Sequence, residues 1–310
     1  MSELPIHTLE IPNPFFEGRN RVYIIPSDPL TLIDTGVATQ RAFDAIVAGF
    51  DERGLAIGDV GLIVLTHKHI DHIGNAWRIQ QESGAQILIH EMETHAVSDV
   101  DPGGERYRER VKERFSEWMV PEEAWPDSSS DHRWDIESAE VEGVVDGQRI
   151  ELSQGHLEVV HTPGHTMGSI CLHYGRQFLS GDHVLPTISP NIGGGDLRHR
   201  GLLQHFFDSL TRTIEISERV SRVFPGHGDP FDHLEDRCNG LWEHHRGRLE
   251  RVVQILEGAG RLPTYDIARQ MFGNLRDIHV MLGCAEAQAH LEFLTQEGRV
   301  SEDSGKYRLS

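Results

Sequence analysis

"LTHKHIDHIGN", residues 65–75, sets His67, His69, Asp71 and His72 within six positions, directly after the apolar run "GLIVL". Aliphatic and β-branched residues stopped by a polar cluster predict a buried strand that gives way to a loop at a sheet edge. Loops in that position commonly carry function. In an extended turn the side chains of His67 and His69 point to one side and can chelate a single ion. Asp71 and His72 then project towards a neighbouring position. Imidazole with carboxylate suits zinc and other borderline divalent metals.

One cluster cannot complete two metal sites, so further ligands are sought after other strands. "HTPGHTMGS" offers His165 in a Gly/Pro turn after "LEVV", "LSGDHV" offers Asp182, and "FPGHGDP" offers His227. Each candidate follows a strand-like run and has small neighbours that let the backbone come close to an ion. A lone histidine among the twenty in this chain is normally a surface or core residue. His161, just before the "TPGH" turn, and the pair His244-His245 are read in that way. His183, next to Asp182, is read as supporting the centre or facing substrate.

With these segments in hand, the chain resembles the metallo-β-lactamase-fold hydrolases, including glyoxalase II-like and lactonase-like members. Their HxHxDH motif stands here as His67-Lys68-His69-Ile70-Asp71-His72, and the later ligands follow in the same order over roughly residues 5–235. The resemblance implies an αββα sandwich with a two-metal centre at one edge. His67, His69 and His165 would hold one ion, Asp71, His72 and His227 the other, and Asp182 would bridge them. Two such ions, about 3.5–4 Å apart, lower the pKa of a shared water towards about 7 and generate a nucleophile. Asp71 would be both ligand and proton shuttle. The expected cofactors are two divalent ions, zinc by default, with iron or manganese compatible with the same donors.

Outward from the motif, "RVYII", "LTLID" and "QILIH" read as strands before residue 97, and "SICLHY", "QFLS" and "RVFP" after residue 150. "ATQRAFDAIVAGFDERG" reads as an amphipathic helix with a Gly stop. Mixed strands and helices predict an α/β protein with helices layered on sheet. Residues 1–235 form the expected catalytic domain. Within it, 97–140 is read as a helical insertion, either a cap over the metal edge whose Trp118, Met119, Trp125 and Trp134 would wall an apolar pocket, or surface helices with their own small core. "ISPNIGGG", after Asp182, suits either a plain loop or a mobile wall of the substrate site. Residues 236–310 predict three helices and a hairpin turning at Ser304-Gly305. The third of these helices is read as amphipathic, with one apolar stripe. This tail resembles the winged-helix end of lactamase-β-2-like proteins.

Composition sets the outer limits. Apolar residues make up 38% and charged residues 25%, as in a soluble globular protein. The net charge of −20 would repel nucleic-acid phosphates. From Asp236 onward there are ten Lys/Arg against eleven Asp/Glu, so the tail lacks the basic stripe of a nucleic-acid reader. It is read instead as a packing element or a homodimer interface, in a position to shape the substrate pocket. The start of the sequence lacks a basic n-region, no apolar run approaches the roughly 20 residues of a membrane span, and the three cysteines form no CxxC pair. A cytoplasmic enzyme acting on a small molecule is expected. A capped apolar pocket favours thioester hydrolysis, of acyl-CoA or acyl-glutathione type. A lactonase or a phosphodiesterase/ribonuclease is the alternative in the same fold, and a metal-binding regulatory protein without turnover is the alternative of another class.

Overall fold

A computed structural model of the chain describes residues 3–15, 18–101, 104–126, 136–194 and 196–310. Two sheets lie face to face. The first runs in sequence order, β1 (His7–Ile11), β2 (Asn20–Ile25), β3 (Leu30–Ile33), β4 (Val60–Val64), β5 (Gln86–His90) and β6 (Glu142–Val144), antiparallel up to β3 and parallel from there on. The second has the order β11 (Arg222–Pro225), β10 (Gln177–Gly181), β9 (Ile170–Tyr174), β8 (Gly155–His161), β7 (Arg149–Leu152). Their facing sides form one apolar core that includes Ile25, Ile33, Val64, Val159, Leu172 and Leu179.

Each sheet buries its other face under helices. Against the first sheet lie α1 (Gln40–Asp51), capped by the Thr39 hydroxyl, and α3 (Ala76–Ser83), with α2 (Ile70–Ile73) and α4 (His95–Ser98) as short turns nearby. The second sheet is covered by α6 (Leu202–Ser217) together with α7 (Leu234–Ala259), α8 (Thr264–Phe272) and α9 (Ile278–Gln296). The layer order is therefore αββα, as expected. A small three-stranded sheet closes the chain: β12 (Leu262–Pro263), β14 (Lys306–Leu309) and β13 (Val300–Asp303). Its hairpin turns at Ser304 and Gly305, both with positive φ, which fits the right-handed twist of the flanking strands.

Three expectations change. First, α9 begins at Ile278 and is buried almost all round rather than along one stripe, because α6, α7, α8 and β13 enclose it. Second, α5 (Glu105–Glu117) and the residues after it pack onto the helical layer. Phe115, Trp118 and Val120 join its core, and Trp125 packs against it. These aromatic side chains complete the C-terminal packing, and of the four residues read as pocket wall only Met119 is exposed while Trp134 lies outside the described residues. Third, the loop containing "ISPNIGGG" is tied down: Arg237 bonds the carbonyls of Leu185 and Ile188, and Ile192 is fully buried. Among the described residues no helix is long and apolar enough to cross a membrane. Cys171, Cys238 and Cys284 are buried free thiols.

Candidate metal centre

All seven residues singled out above converge at one edge of the sandwich. Strand β4 delivers His67 and His69, and α2 carries Asp71 and His72. The loops after β8, β10 and β11 deliver His165, Asp182 and His227. An isolated bridge between Asn20 and His227, with Arg21 N–H on the Gly226 carbonyl at 2.8 Å, joins the two sheets beneath them. The close approach requires glycine at 226: a Cβ there would lie 2.2 Å from Asp182 Oδ1 and 2.8 Å from His72 Cε1.

The donors fall into two groups. Ligand atoms of His67, His69 and His165 lie within 4.8 Å of one another, and so do those of Asp71, His72 and His227. His165 Nε2 is 2.9 Å from His69 Nδ1. Asp182 stands between the groups, with Oδ2 at 3.4 Å from His227 Nε2 and 3.7 Å from His165 Nε2, and Oδ1 at 3.5 Å from His72 Nε2.

Whether the site fits metal ions is tested by its unsatisfied atoms. Buried polar atoms are normally hydrogen-bonded. Nine buried side-chain nitrogen or oxygen atoms of the described residues lack a partner, and five belong here: Nε2 of His67, His69 and His72, Oδ1 of Asp182 and Nδ1 of His227. Burial, reinforced by neighbouring imidazoles, drives His67 well below the usual histidine range and His69 down to about 3, so both rings are neutral with free lone pairs. In the other group burial also pushes the histidines down, but the carboxylates win. Asp182, Asp71 and Asp34 raise His72, and Asp182 with Asp71 raises His227 to about 10. Burial alone would push Asp71 and Asp182 up, yet the two histidines hold both well below the carboxylate range. Ionised carboxylates buried with imidazoles make a site that attracts cations, and the donor set fits divalent metals.

Supporting residues that the sequence reading missed fix these rings. Asp34 accepts the His72 Nδ1 proton at 2.8 Å and the Thr66 hydroxyl at 2.8 Å, and that hydroxyl lies 3.1 Å from His67 Nδ1. One carboxylate therefore engages Nδ1 of a ligand candidate in each group, directly or through the hydroxyl, which leaves Nε2 as the atom turned to the centre. Asn13 and Asn20 each donate to Asp71 Oδ2 at 3.1 Å. Glu93 accepts from the backbone of Lys68 and of Gly168, tying the first histidine loop to the turn that follows His165. The available signal was an acidic residue ending an apolar strand before Thr-Gly, in "LTLIDTG". His183 lies behind the centre, fully buried against Thr213, and does not face substrate. His161 stacks on His90 at 3.9 Å and bonds the Met167 carbonyl.

The model of the metallo-beta-lactamase superfamily matches residues 16–227, ending on the last of these histidines. The chain belongs to the metallo-beta-lactamase superfamily. Within it, the chain is 25% identical to the probable metallo-hydrolase YqjP of Bacillus subtilis, over 97% of this chain and 95% of that one. It is 27% identical to acyl-coenzyme A thioesterase MBLAC2 of Bos taurus, over 70% of this chain and 76% of that one. Among solved structures, the metallo-beta-lactamase family protein TTHA1429 from Thermus thermophilus aligns over 98% of both chains, with a TM-score of 0.85 and 26% identity. The last alignment includes the C-terminal helices, so this superfamily member shares its whole architecture with a relative.

Proposed function

We propose that this chain is a dinuclear metal-dependent hydrolase that cleaves a thioester of the acyl-coenzyme A class. The observation that carries the hydrolase reading is the pair of donor groups sharing Asp182, with buried ring nitrogens of His67, His69, His72 and His227 left unpartnered. His67, His69 and His165 would hold one ion and Asp71, His72 and His227 the other. When bound, such ions supply Lewis acidity and lower the pKa of water towards about 7. Zinc is the expected metal, since imidazole and carboxylate donors suit it.

The chain's own groups do the rest. Asn13 and Asn20 occupy Asp71 Oδ2, which fixes the carboxylate and leaves Oδ1 to take a proton from a reacting group. Asp34 keeps the lone pairs of His67 and His72 turned inward. The thioester reading is supported by the similarity to an acyl-coenzyme A thioesterase. It is supported also by cationic residues on and after the donor loops. Lys68, between two ligand candidates, lies 3.0 Å from Asp196, and Arg198 follows two residues later. Partial burial, with repulsion from Arg198, pushes Arg110 down, so the two act on one another electrostatically. Guanidiniums suit the phosphates of a nucleotide-bearing thiol, and among the described residues neither Arg110 nor Arg198 has an ion pair.

The test is metal content together with turnover of acyl-CoA, acyl-glutathione, lactone and phosphodiester substrates. Two metals and thiol release from acyl-CoA are expected. Two metals with only lactone or phosphodiester cleavage would overturn the substrate class. Two metals with no turnover would favour a regulatory protein, and absence of metal would overturn the centre itself.

A further inference from the structure

Glu286 lies on α9, far along the chain from the motif loops, and is fully buried. Arg248 Nη1 donates to its Oε1 at 2.6 Å. Its Oε2 accepts the Asn191 side-chain amide and the Ile192 backbone N–H, each at 2.9 Å. Each of these contacts is a donor, and the guanidinium and the backbone N–H oppose the upward push of burial on the carboxyl. The Ile192 N–H belongs to the same peptide unit as the Asn191 carbonyl, and that carbonyl accepts the Nδ1 proton of His165 at 2.8 Å. In a planar trans peptide the two groups point in opposite directions. The peptide is thus gripped from both sides, by α9 on its N–H and by a ligand candidate on its carbonyl.

The neighbouring histidines complete the attachment. Ser189 Oγ is 3.0 Å from His245 Nε2, His245 Nδ1 is 3.3 Å from His290 Nε2, and His290 Nδ1 donates to the Glu286 carbonyl at 2.7 Å. His245, Glu286 and His290 are close enough to hold an ion. They differ from the motif group in that none of their atoms is buried without a partner, and a guanidinium already sits on Oε1. The cluster is a fastener for the Ser189–Ile192 loop rather than another metal site.

We propose that Glu286 is a positioning residue for the metal centre, acting through the Asn191–Ile192 peptide to hold His165 with its Nε2 lone pair directed at the ion. A carboxylate on the N–H polarises the peptide and makes its carbonyl a stronger acceptor, as in any hydrogen-bonded chain. Such supporting partners typically change metal affinity by about 10–100-fold. The tail would then contribute to the centre without touching it.

This rests on the reading of His165 as a ligand, and the test separates the two. Zinc affinity is measured by chelator competition for the unmodified chain, Glu286→Gln, His165→Ala and the double variant. Glu286→Gln should weaken one of the two zincs by about tenfold or more. On the His165→Ala background it should change affinity by no more than about twofold, because residues acting through one another are not additive. No weakening on the intact ligand set, or equal weakening on both backgrounds, overturns the proposal while leaving the ligand reading intact. An unmodified chain that binds no zinc, or a His165→Ala variant that binds both as before, overturns the ligand reading and this inference with it. Glu286→Asp, which keeps the charge beside Arg248 and withdraws the carboxylate by one methylene, serves if the Gln variant does not fold and should show the same selective loss.

Discussion

Asp34 shows what a single side chain does in this molecule. Held at positive φ at the end of β3, it spends one oxygen on the Thr66 N–H and the other on the Thr66 hydroxyl and the His72 ring. Replacing it by Asn exchanges an acceptor for a donor opposite donors, so His72 loses its fixed tautomer. Asp34→Asn should keep the fold and reduce metal affinity by about 10–100-fold, read by chelator competition. Unchanged affinity would mean that packing alone orients the ring. Asp71→Ala acts more directly: it should abolish hydrolysis and lower metal content, and full activity in a metal-loaded assay would remove Asp71 from the centre.

At the scale of elements, the centre depends on how tightly the strand-end loops meet. The turn after β11 comes so close to Asp182 and His72 that a methyl group at 226 has no room. Gly226→Ala should therefore yield a folded protein, by circular dichroism, with reduced metal stoichiometry; a variant with both metals would show that the turn can give way. The loop between β10 and α6 carries a different property. Arg198 is exposed there without an ion pair among the described residues, and Arg198→Glu should raise KM for an acyl-CoA while leaving metal content and kcat nearly unchanged. An equal KM would take Arg198 out of substrate binding. The signals for these loops were visible as Gly, Pro and Asp after apolar runs. What they touch was not, because each contact spans dozens of residues.

For the molecule as a whole, the helical layer is shared. One apolar core runs from Phe115 and Trp118 through α6 to Leu241, Ile255, Cys284 and Leu291. A chain cut before α7 would expose this surface to water, at about 25 cal/mol per Å² of apolar area. The full chain should unfold in one transition, and residues 1–233 alone should be insoluble or lack a cooperative transition. Two separate transitions would show an independent tail. Stability should also depend on pH in a defined sense. Burial lowers His90 to about 4, with His161 adding to it, and lowers His290 to about 3. Unfolded histidines titrate near about 6.5, so below that pH the unfolded state binds more protons. For metal-free protein the denaturant midpoint should fall between pH 6.5 and 5. A flat or rising midpoint would mean that these rings are charged in the fold.

The sequence by itself determined the candidate donor set and most of the strands. His67, His69, Asp71 and His72 are consecutive enough for local spacing to reveal them, and His165, Asp182 and His227 each follow an apolar run that reads as a strand. Period and punctuation are local properties, so β2 to β5 and β8 to β11 were legible. The long-range facts were not. Helix α6 and strands β1, β6 and β7 escaped the reading, and α9 looked amphipathic because one helix cannot reveal how many neighbours will enclose it. Trp118 and Trp125 gave their hydrophobicity but not their direction, which the shared helical core decided. Asp34, Glu93 and Glu286 were ordinary acidic residues in the string. Only the tertiary structure, by burying each against backbone and ring donors from distant segments, made their charges part of the metal centre's support.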